Sequence, residues 1–494
     1  MTTKETNTIQ QVKINIPGGV ITTGDFIPLT ASLQEVGIKQ LHIGMRQELL
    51  FNADEQQIEQ LQYSLTNDDW LLEVNQDHYP NIVSSYVADE LFNRQDWVRE
   101  SVYKDILDGF NYKPRLKINI SDAQQSFVPY FSGHLNFISS AISQHWYLCI
   151  RFPKSQLRYT WSSLFYTGDI PELCQVIEHI FHTEQQQFPI DNAQEFGQLL
   201  EQTVSAKHLF ATQEYEQSFK PPTFLLPYYE GFNSYQNKYW LGIYRRNKAY
   251  SLAFLQDIGK TCLSTGITQI HCSPWRSLII KQIDPNQRST WHTIMDKHHI
   301  SLRHASSELN WQIDESRKAL EIKQSLSHYF NEEDVRTYKL CFGVKTTAQS
   351  GVWGSILIRL TEQKNEPETA RYAISYTADF NPHTSQEIYF RQDITADELG
   401  PALVQLCHLY YRQQILDQQH NLLKTVKPQL PNETEQITRY QCPDCLSIYD
   451  PQYGDGITAP GTSFENLPEN YNCTTCGTMK INFLPVTKPI SPLS

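Results

Sequence analysis

Apolar positions along the chain fall into two long matching patterns. TTGDFIPLTASLQEVGIKQLHIGMRQELLF (22–51) lies over SLAFLQDIGKTCLSTGITQIHCSPWRSLII (251–280) at one constant offset without a gap, so Gly37 meets Gly266 and His42 meets His271. In each segment the apolar residues first recur at about 3.6 positions, which predicts an amphipathic helix. A glycine stop follows, then a strand, a turn and a second strand. The pattern predicts a β-α-β-type half domain present twice.

A second pair of segments supports the duplication. FYTGDIPELCQVIEHIF (165–181) matches FRQDITADELGPALVQLC (390–407) after a two-residue insertion, setting Asp169 against Asp393 and Leu173 against Leu399. Both follow strand-like runs, WYLCIRF and RYAISYT, and PRLKINI (114–120) falls opposite YKLCFGV (338–344). The organisation expected is a first repeat over 1–190, a second over 191–423, a linker over 424–437, a small domain over 438–485 and a tail over 486–494. The two prolines and the charges of the linker segment predict a tether.

With 40% hydrophobic and 19% charged residues, the 494-residue chain reads as a soluble globular protein of several domains. A net charge of -13 argues against general binding to nucleic acid or an anionic membrane and suits basic partner proteins. The polar opening MTTKETNTIQQ, and the lack of any apolar run long enough to span a membrane, predict a cytoplasmic address. In that reducing compartment, paired cysteines signal metal or redox chemistry rather than disulfides.

Four of the ten cysteines form such pairs, CPDC (442–445) and CTTC (473–476). Two tight loops of this kind aim four thiolates at one point, and the spacing alone leaves zinc or iron open. The text between them decides further. Tyr449-Asp450-Pro451, Gly454-Asp455, Pro460-Gly461-Thr462 and Phe464-Glu465-Asn466-Leu467-Pro468 resemble rubredoxin, over about residues 438–485. The resemblance implies one iron per chain held by Cys442, Cys445, Cys473 and Cys476, cycling between Fe(III) and Fe(II) in electron transport. Aromatic residues Tyr440, Tyr449, Phe464, Tyr471 and Phe483 would form a dry shell. The sequence departs from the family in having Leu446 for glycine after the second ligand, Thr474 for a proline and Tyr471 for tryptophan. Leu446 predicts a strained left-handed turn, whereas Gly477 suits one. A structural zinc ribbon is the alternative reading. Asp444, Asp450, Asp455, Glu465 and Glu469 outnumber Arg439 and Lys480, an acidic balance that would steer basic redox partners.

The body resembles the duplicated sulfite and nitrite reductases. Arg46-Gln47 occupies the place of their R-Q pair, and KPRLKI is similar to the basic segment that grips siroheme carboxylates. The fold class expected is therefore α/β (α+β), a duplicated sulfite/nitrite-reductase-like body with ferredoxin-like half domains plus a rubredoxin-like metal domain. The resemblance makes Arg46, Arg115 and Lys117 the cofactor-binding candidates, with Arg276 a further anion grip. His42 and His271 read as matched strand-end residues. The family's cluster cysteines are missing: Cys149, Cys174, Cys262, Cys272, Cys341 and Cys407 are no closer than ten positions, and Lys345 stands where a mate for Cys341 is expected. These readings predict an electron carrier that is not an enzyme, whose body docks a redox enzyme of nitrite, nitrate or sulfite assimilation. The alternative is a siroheme-binding nitrite or sulfite reductase fed by its own rubredoxin domain.

Overall fold

The duplication predicted from the apolar pattern is visible bond by bond in the computed structural model. It describes residues 8–65, 70–92, 97–152, 158–183, 192–215, 217–347, 350–362, 370–384, 386–425, 438–455 and 457–486. The chain forms two compact units, 1–412 and 413–494. Helices Thr23–Glu35 and Leu252–Ser264 start and stop at positions related by the offset of the sequence match. Each begins at a hydroxyl cap: Thr22 Oγ1 accepts the Asp25 N–H at 3.1 Å and Ser251 Oγ accepts the Phe254 N–H at 3.3 Å. Each ends at a left-handed glycine, Gly37 at φ 87° and Gly266 at φ 72°.

The strand pairs that follow, Gln40–Ile43 with Leu49–Ala53 and Gln269–Cys272 with Leu278–Ile283, turn through the same backbone geometry. Gln47 (φ 66°) and Arg276 (φ 59°) are the left-handed residues of the two turns. The Gln47 N–H donates to the Gly44 carbonyl at 3.1 Å and the Arg276 N–H to the Ser273 carbonyl at 3.0 Å.

The half domains also exchange edges. Val20–Thr22 pairs antiparallel with Gln269–Cys272, and Ala249–Ser251 pairs with Gln40–Ile43. Val20 sits opposite His271 and Ala249 opposite His42, so the two registers are related by the same offset. Each of these two sheets thus takes an outer strand from the other copy, which covers the edges of Gln40–Ile43 and Gln269–Cys272 with a short strand. The two long helices pack together, with Gln256 Nε2 donating to Thr30 Oγ1 at 2.7 Å and to the Ile27 carbonyl at 3.1 Å.

Two further sheets repeat one topology. Val83–Ser84, Ile118–Ser121 and Leu135–Ser139 run parallel, then His145–Arg151 and Ser163–Tyr166 run antiparallel. Trp311–Ile313, Phe342–Lys345 and Ile356–Glu362 run parallel, then Arg371–Thr377 and Glu387–Ile394 run antiparallel. Helices Ile170–Thr183 and Ala396–Thr425 follow the last strands, as the 165–181 and 390–407 match predicts. Their buried Leu173 and Leu399 belong to the cores of the respective layers.

The C-terminal unit is a three-stranded sheet in which Arg439–Gln441 lies between Ile448–Tyr449 and Leu484–Val486. Tyr449, Phe464, Tyr471 and Phe483 form its core, and Tyr440 stacks on Phe464 with ring centroids 4.0 Å apart. Within the predicted linker, residues 426–437 lie outside the described residues, as does the tail beyond Val486. Among the described residues, no helix is long and apolar enough to cross a membrane.

Candidate metal centre and cleft

The two cysteine loops are copies of one another. The Cys442 N–H donates to the Ser447 carbonyl at 2.9 Å and the Cys473 N–H to the Thr478 carbonyl at 2.7 Å. The Leu446 N–H returns to the Cys442 carbonyl at 3.0 Å and the Gly477 N–H to the Cys473 carbonyl at 2.8 Å. Both loops close on a left-handed residue, Leu446 at φ 65° and Gly477 at φ 80°. The four Sγ atoms therefore lie within 4.8 Å of one another, with Cys442–Cys476 and Cys445–Cys473 both at 3.5 Å. A tetrahedron with metal–sulfur bonds of about 2.3 Å has edges of about 3.8 Å, so the set closes on one ion.

Electrostatics favour thiolate at two of the four sulfurs, whereas Cys476 is pushed up to about 11, its Thr478 contacts opposing the rise and Cys445 and Cys442 driving it. Burial works against the Cys442 and Cys473 thiolates, but amide N–H groups overcome it. Those of Cys445 and Asp444, with the Thr478 hydroxyl, lower Cys442, and those of Cys476 and Thr475 bring Cys473 to about 6. Two hydroxyls face the outer pair of sulfurs, Ser447 Oγ 2.6 Å from Cys445 Sγ and Thr478 Oγ1 3.0 Å from Cys476 Sγ. Cys442 and Cys473 are buried while Cys476 is exposed, so one edge of the centre meets solvent. Four sulfurs with converging donors fit an iron that gains negative charge on reduction. Among the described residues no other group of His, Cys, Asp or Glu is placed to hold a metal ion.

In the body a cleft of about 670 Å³ is bordered by both repeats, with Arg46, Lys117, Arg151 and His134 from the first and Glu315 and Trp353 from the second. Arg46 is held by carbonyls, donating to Asn81 O at 2.7 Å and Ile118 O at 3.0 Å through Nη2, and to Asn119 Oδ1 at 3.2 Å through Nη1. Burial lowers it only to about 10, so it stays charged. Lys117 pairs with Asp77 at 3.3 Å. Arg151 donates to the Gly133 and Ser132 carbonyls at 3.1 and 3.0 Å. His134, which accepts the Lys117 N–H at 3.1 Å, is pushed down to about 3 by burial and by Arg151, Lys117 and Arg46. Around the cleft the cations Lys13, Arg46, Lys117 and Arg151 face the carboxylates Glu48, Glu73, Asp77 and Glu315.

Of the predicted grips, Arg46 and Lys117 share the cleft. Arg115 does not line it: it is exposed, its N–H donates to Glu178 Oε2 at 2.7 Å, and its guanidinium lies over the Tyr79 ring at 6.0 Å. Arg276 is buried and engaged with Glu315 at 2.6 Å and with the Ile313 carbonyl. His42 and His271 are lowered by burial, and the Nδ1 atom of each is buried without a partner. Arg151 was missed, because one arginine ending an apolar strand carries no motif. The Ser447/Thr478 hydroxyls were also missed, although their equal place in the two loops was a usable signal.

The sequence profile of the rubredoxin family matches residues 439–483. A protein named probable rubredoxin from Methanothermobacter thermautotrophicus is 42% identical over 59 residues, 12% of this chain and 94% of its own. The chain belongs to the rubredoxin family. The rubredoxin of Acinetobacter baylyi is 46% identical over 50 residues, 10% of this chain and 91% of its own. In the rubredoxin domain the four cysteines are thus consistent with one iron site, as expected.

The rubredoxin match leaves the body uncovered, and there a solved structure supplies the likeness. The Mycobacterium tuberculosis NirA protein superposes with a TM-score of 0.61 over 80% of each chain at 13% identity. The body therefore has the sulfite/nitrite reductase type of fold, as the duplication suggested. One expectation is corrected by this finding. A chain that is a carrier and not an enzyme conflicts with a body built on that fold across 80% of the length. The expectation rested on the missing cluster thiolates, and thiolates are only one part of what a catalytic cleft requires.

Proposed function

We propose that the rubredoxin domain passes single electrons to an acceptor bound in the cleft of the body, and that this acceptor is a carboxylated tetrapyrrole of the siroheme class on which nitrite or sulfite would be reduced. The observation that carries the reading is the cleft itself: about 670 Å³ bordered by Arg46, Lys117 and Arg151 on a reductase-type scaffold, in one chain with a one-electron carrier. Such a volume is in the range of cofactor sites. Bound there, the tetrapyrrole would supply the reducing iron. The chain's own residues would hold its carboxylates: Arg46 presents a carbonyl-anchored guanidinium, and Lys117 a flexible point charge. A four-thiolate cluster does not fit the body, since its six cysteines are buried singly with burial raising each thiol, and none belongs to a metal-binding group among the described residues.

That same absence favours a second reading, in which the body docks the rubredoxin domain onto a separate redox enzyme of nitrite, nitrate or sulfite assimilation. Tethering raises the effective concentration of the carrier at whatever the body binds in either case. Spectroscopy of protein purified from its native host separates the two. The first reading expects tetrapyrrole absorbance beside the iron–thiolate bands, lost in an Arg46→Gln/Lys117→Met variant, and nitrite or sulfite turnover lost in Cys445→Ser. Protein without tetrapyrrole bands that reduces a separate enzyme would overturn the first reading and support the second.

A further inference from the structure

A separate cavity of about 550 Å³ opens on the first repeat and has one lining residue, Asn81, in common with the cleft. It sits where the loop after Glu100–Asp108 passes the start of helix Thr23–Glu35 and the segment 79–82. Its size is that of a site for a small organic molecule. The walls are Trp70, Tyr79, Phe110 and Tyr112 together with four prolines. Phe110 and Tyr112 are tilted against each other with ring centroids 5.8 Å apart, whereas among the described residues neither Trp70 nor Tyr79 lies against another aromatic ring. Flat ring faces favour a flat ligand. The prolines add shape but no N–H, so the backbone of the walls is short of donors.

Two amides give that bias a fixed place. Asn15 donates through Nδ2 to the Tyr79 carbonyl at 2.6 Å, and Asn81 donates through Nδ2 to the Ile16 carbonyl at 2.7 Å and the Arg46 carbonyl at 2.8 Å. Each side chain thus clasps the segment that carries the other, which brings the two together and fixes which end of each amide is oxygen. Both Oδ1 atoms are buried without a hydrogen-bond partner, and Asn81 as a whole is only 2% exposed. Buried acceptors are normally satisfied, and one left without a donor is costly. The charged groups of the lining are one of each sign, Asp25 and Lys113, and Asp25 already accepts the Thr22 hydroxyl at 2.6 Å. The cavity therefore asks for donors rather than for net charge, and its single lysine is a poor match for a phosphate.

We propose that this cavity binds a neutral nucleoside whose base carries an exocyclic amino group, with the base among Trp70, Tyr79, Phe110 and Tyr112 and the amino hydrogens on Asn15 Oδ1 and Asn81 Oδ1. An amino group on a flat ring brings two N–H donors, one for each partnerless oxygen. A base with an oxo group in the same place would set acceptor against acceptor, and one with hydrogen there would leave both oxygens unpaired. A polar pocket of this kind discriminates strongly against the analogue that lacks the donor. The assignment does not depend on what occupies the larger cleft.

Calorimetric titration of the full chain with two matched pairs of nucleosides tests the site. Adenosine is set against purine riboside, which lacks the amino group, and cytidine against uridine, which has an oxo group in its place. The expected result is saturable one-to-one binding of adenosine or cytidine, about tenfold or more tighter than its counterpart. Asn15 lines this cavity and not the cleft, so Asn15→Leu should weaken the bound nucleoside about tenfold while moving its counterpart by less than about threefold. Melting temperatures without nucleoside check that the variant is folded, and should it fail to fold, the two pairs on the wild type decide alone. Neither adenosine nor cytidine binding overturns the proposal. Equal binding within each pair, or affinity unchanged in a folded Asn15→Leu, overturns it as well.

Discussion

Leu446 shows how much a single residue can distort. Its backbone is left-handed at φ 65° where its counterpart Gly477 is at φ 80°, and its side chain is 64% exposed, so packing returns little for the strain. Left-handed geometry costs a β-carbon-bearing residue about 1–2 kcal/mol, part of which glycine loses again to its unfolded-state entropy. Leu446→Gly should therefore stabilise the rubredoxin domain by about 0.5–1 kcal/mol in denaturant titration. The Ser447 hydroxyl lies 2.6 Å from Cys445 Sγ, and donating there it would stabilise the more negative reduced centre of an iron-loaded domain. If about 1 kcal/mol of that bond appears on reduction, Ser447→Ala should lower the midpoint by about 20–60 mV, read by spectroelectrochemistry. Two histidines set a pH dependence. His134 and His383 titrate near 3 in the fold, mainly through burial, against about 6.5 unfolded. Their folded values are depressed bases, so the unfolded chain binds more protons between about pH 6.5 and 3. Stability should fall by about 1 kcal/mol per unit per histidine as pH drops through that window, measured by urea unfolding at about pH 7 and pH 5.

At the scale of elements, the half domain was readable because its signals are local. Helical spacing, hydroxyl caps at Thr22 and Ser251 and glycine stops at Gly37 and Gly266 all lie within one segment of sequence. The edge exchange was not readable. Val20–Thr22 and Ala249–Ser251 are short strands whose partners lie in the other copy, far along the chain, and so short a strand carries no register of its own. The helix pair depends on a close approach that is equally silent in the sequence. A β-carbon at Gly259 would stand 2.8 Å from Ile27 Cγ1. Gly259→Val should cost about 1–3 kcal/mol by overpacking the contact between the repeats, seen as a lowered urea midpoint.

At the scale of the whole molecule, the metal centre was legible and the cleft only partly so. Four cysteines in two short loops announce themselves because their chemistry and spacing sit in adjacent positions. Arg46 and Lys117 were found through motifs, but Arg151 and Glu315 reach the cleft from separate stretches of chain, and the topology alone brings them together. The missing cluster thiolates could be counted, whereas the cleft that persists without them could be seen only in the fold.

Electron transfer by this chain requires first that the rubredoxin domain hold iron. Metal analysis with a visible spectrum of protein from its native host, oxidised and then reduced with dithionite, tests this most directly. The expected result is one iron per chain and thiolate-to-iron absorption that bleaches on reduction. One zinc per chain in colourless protein, with no redox response, would contradict it.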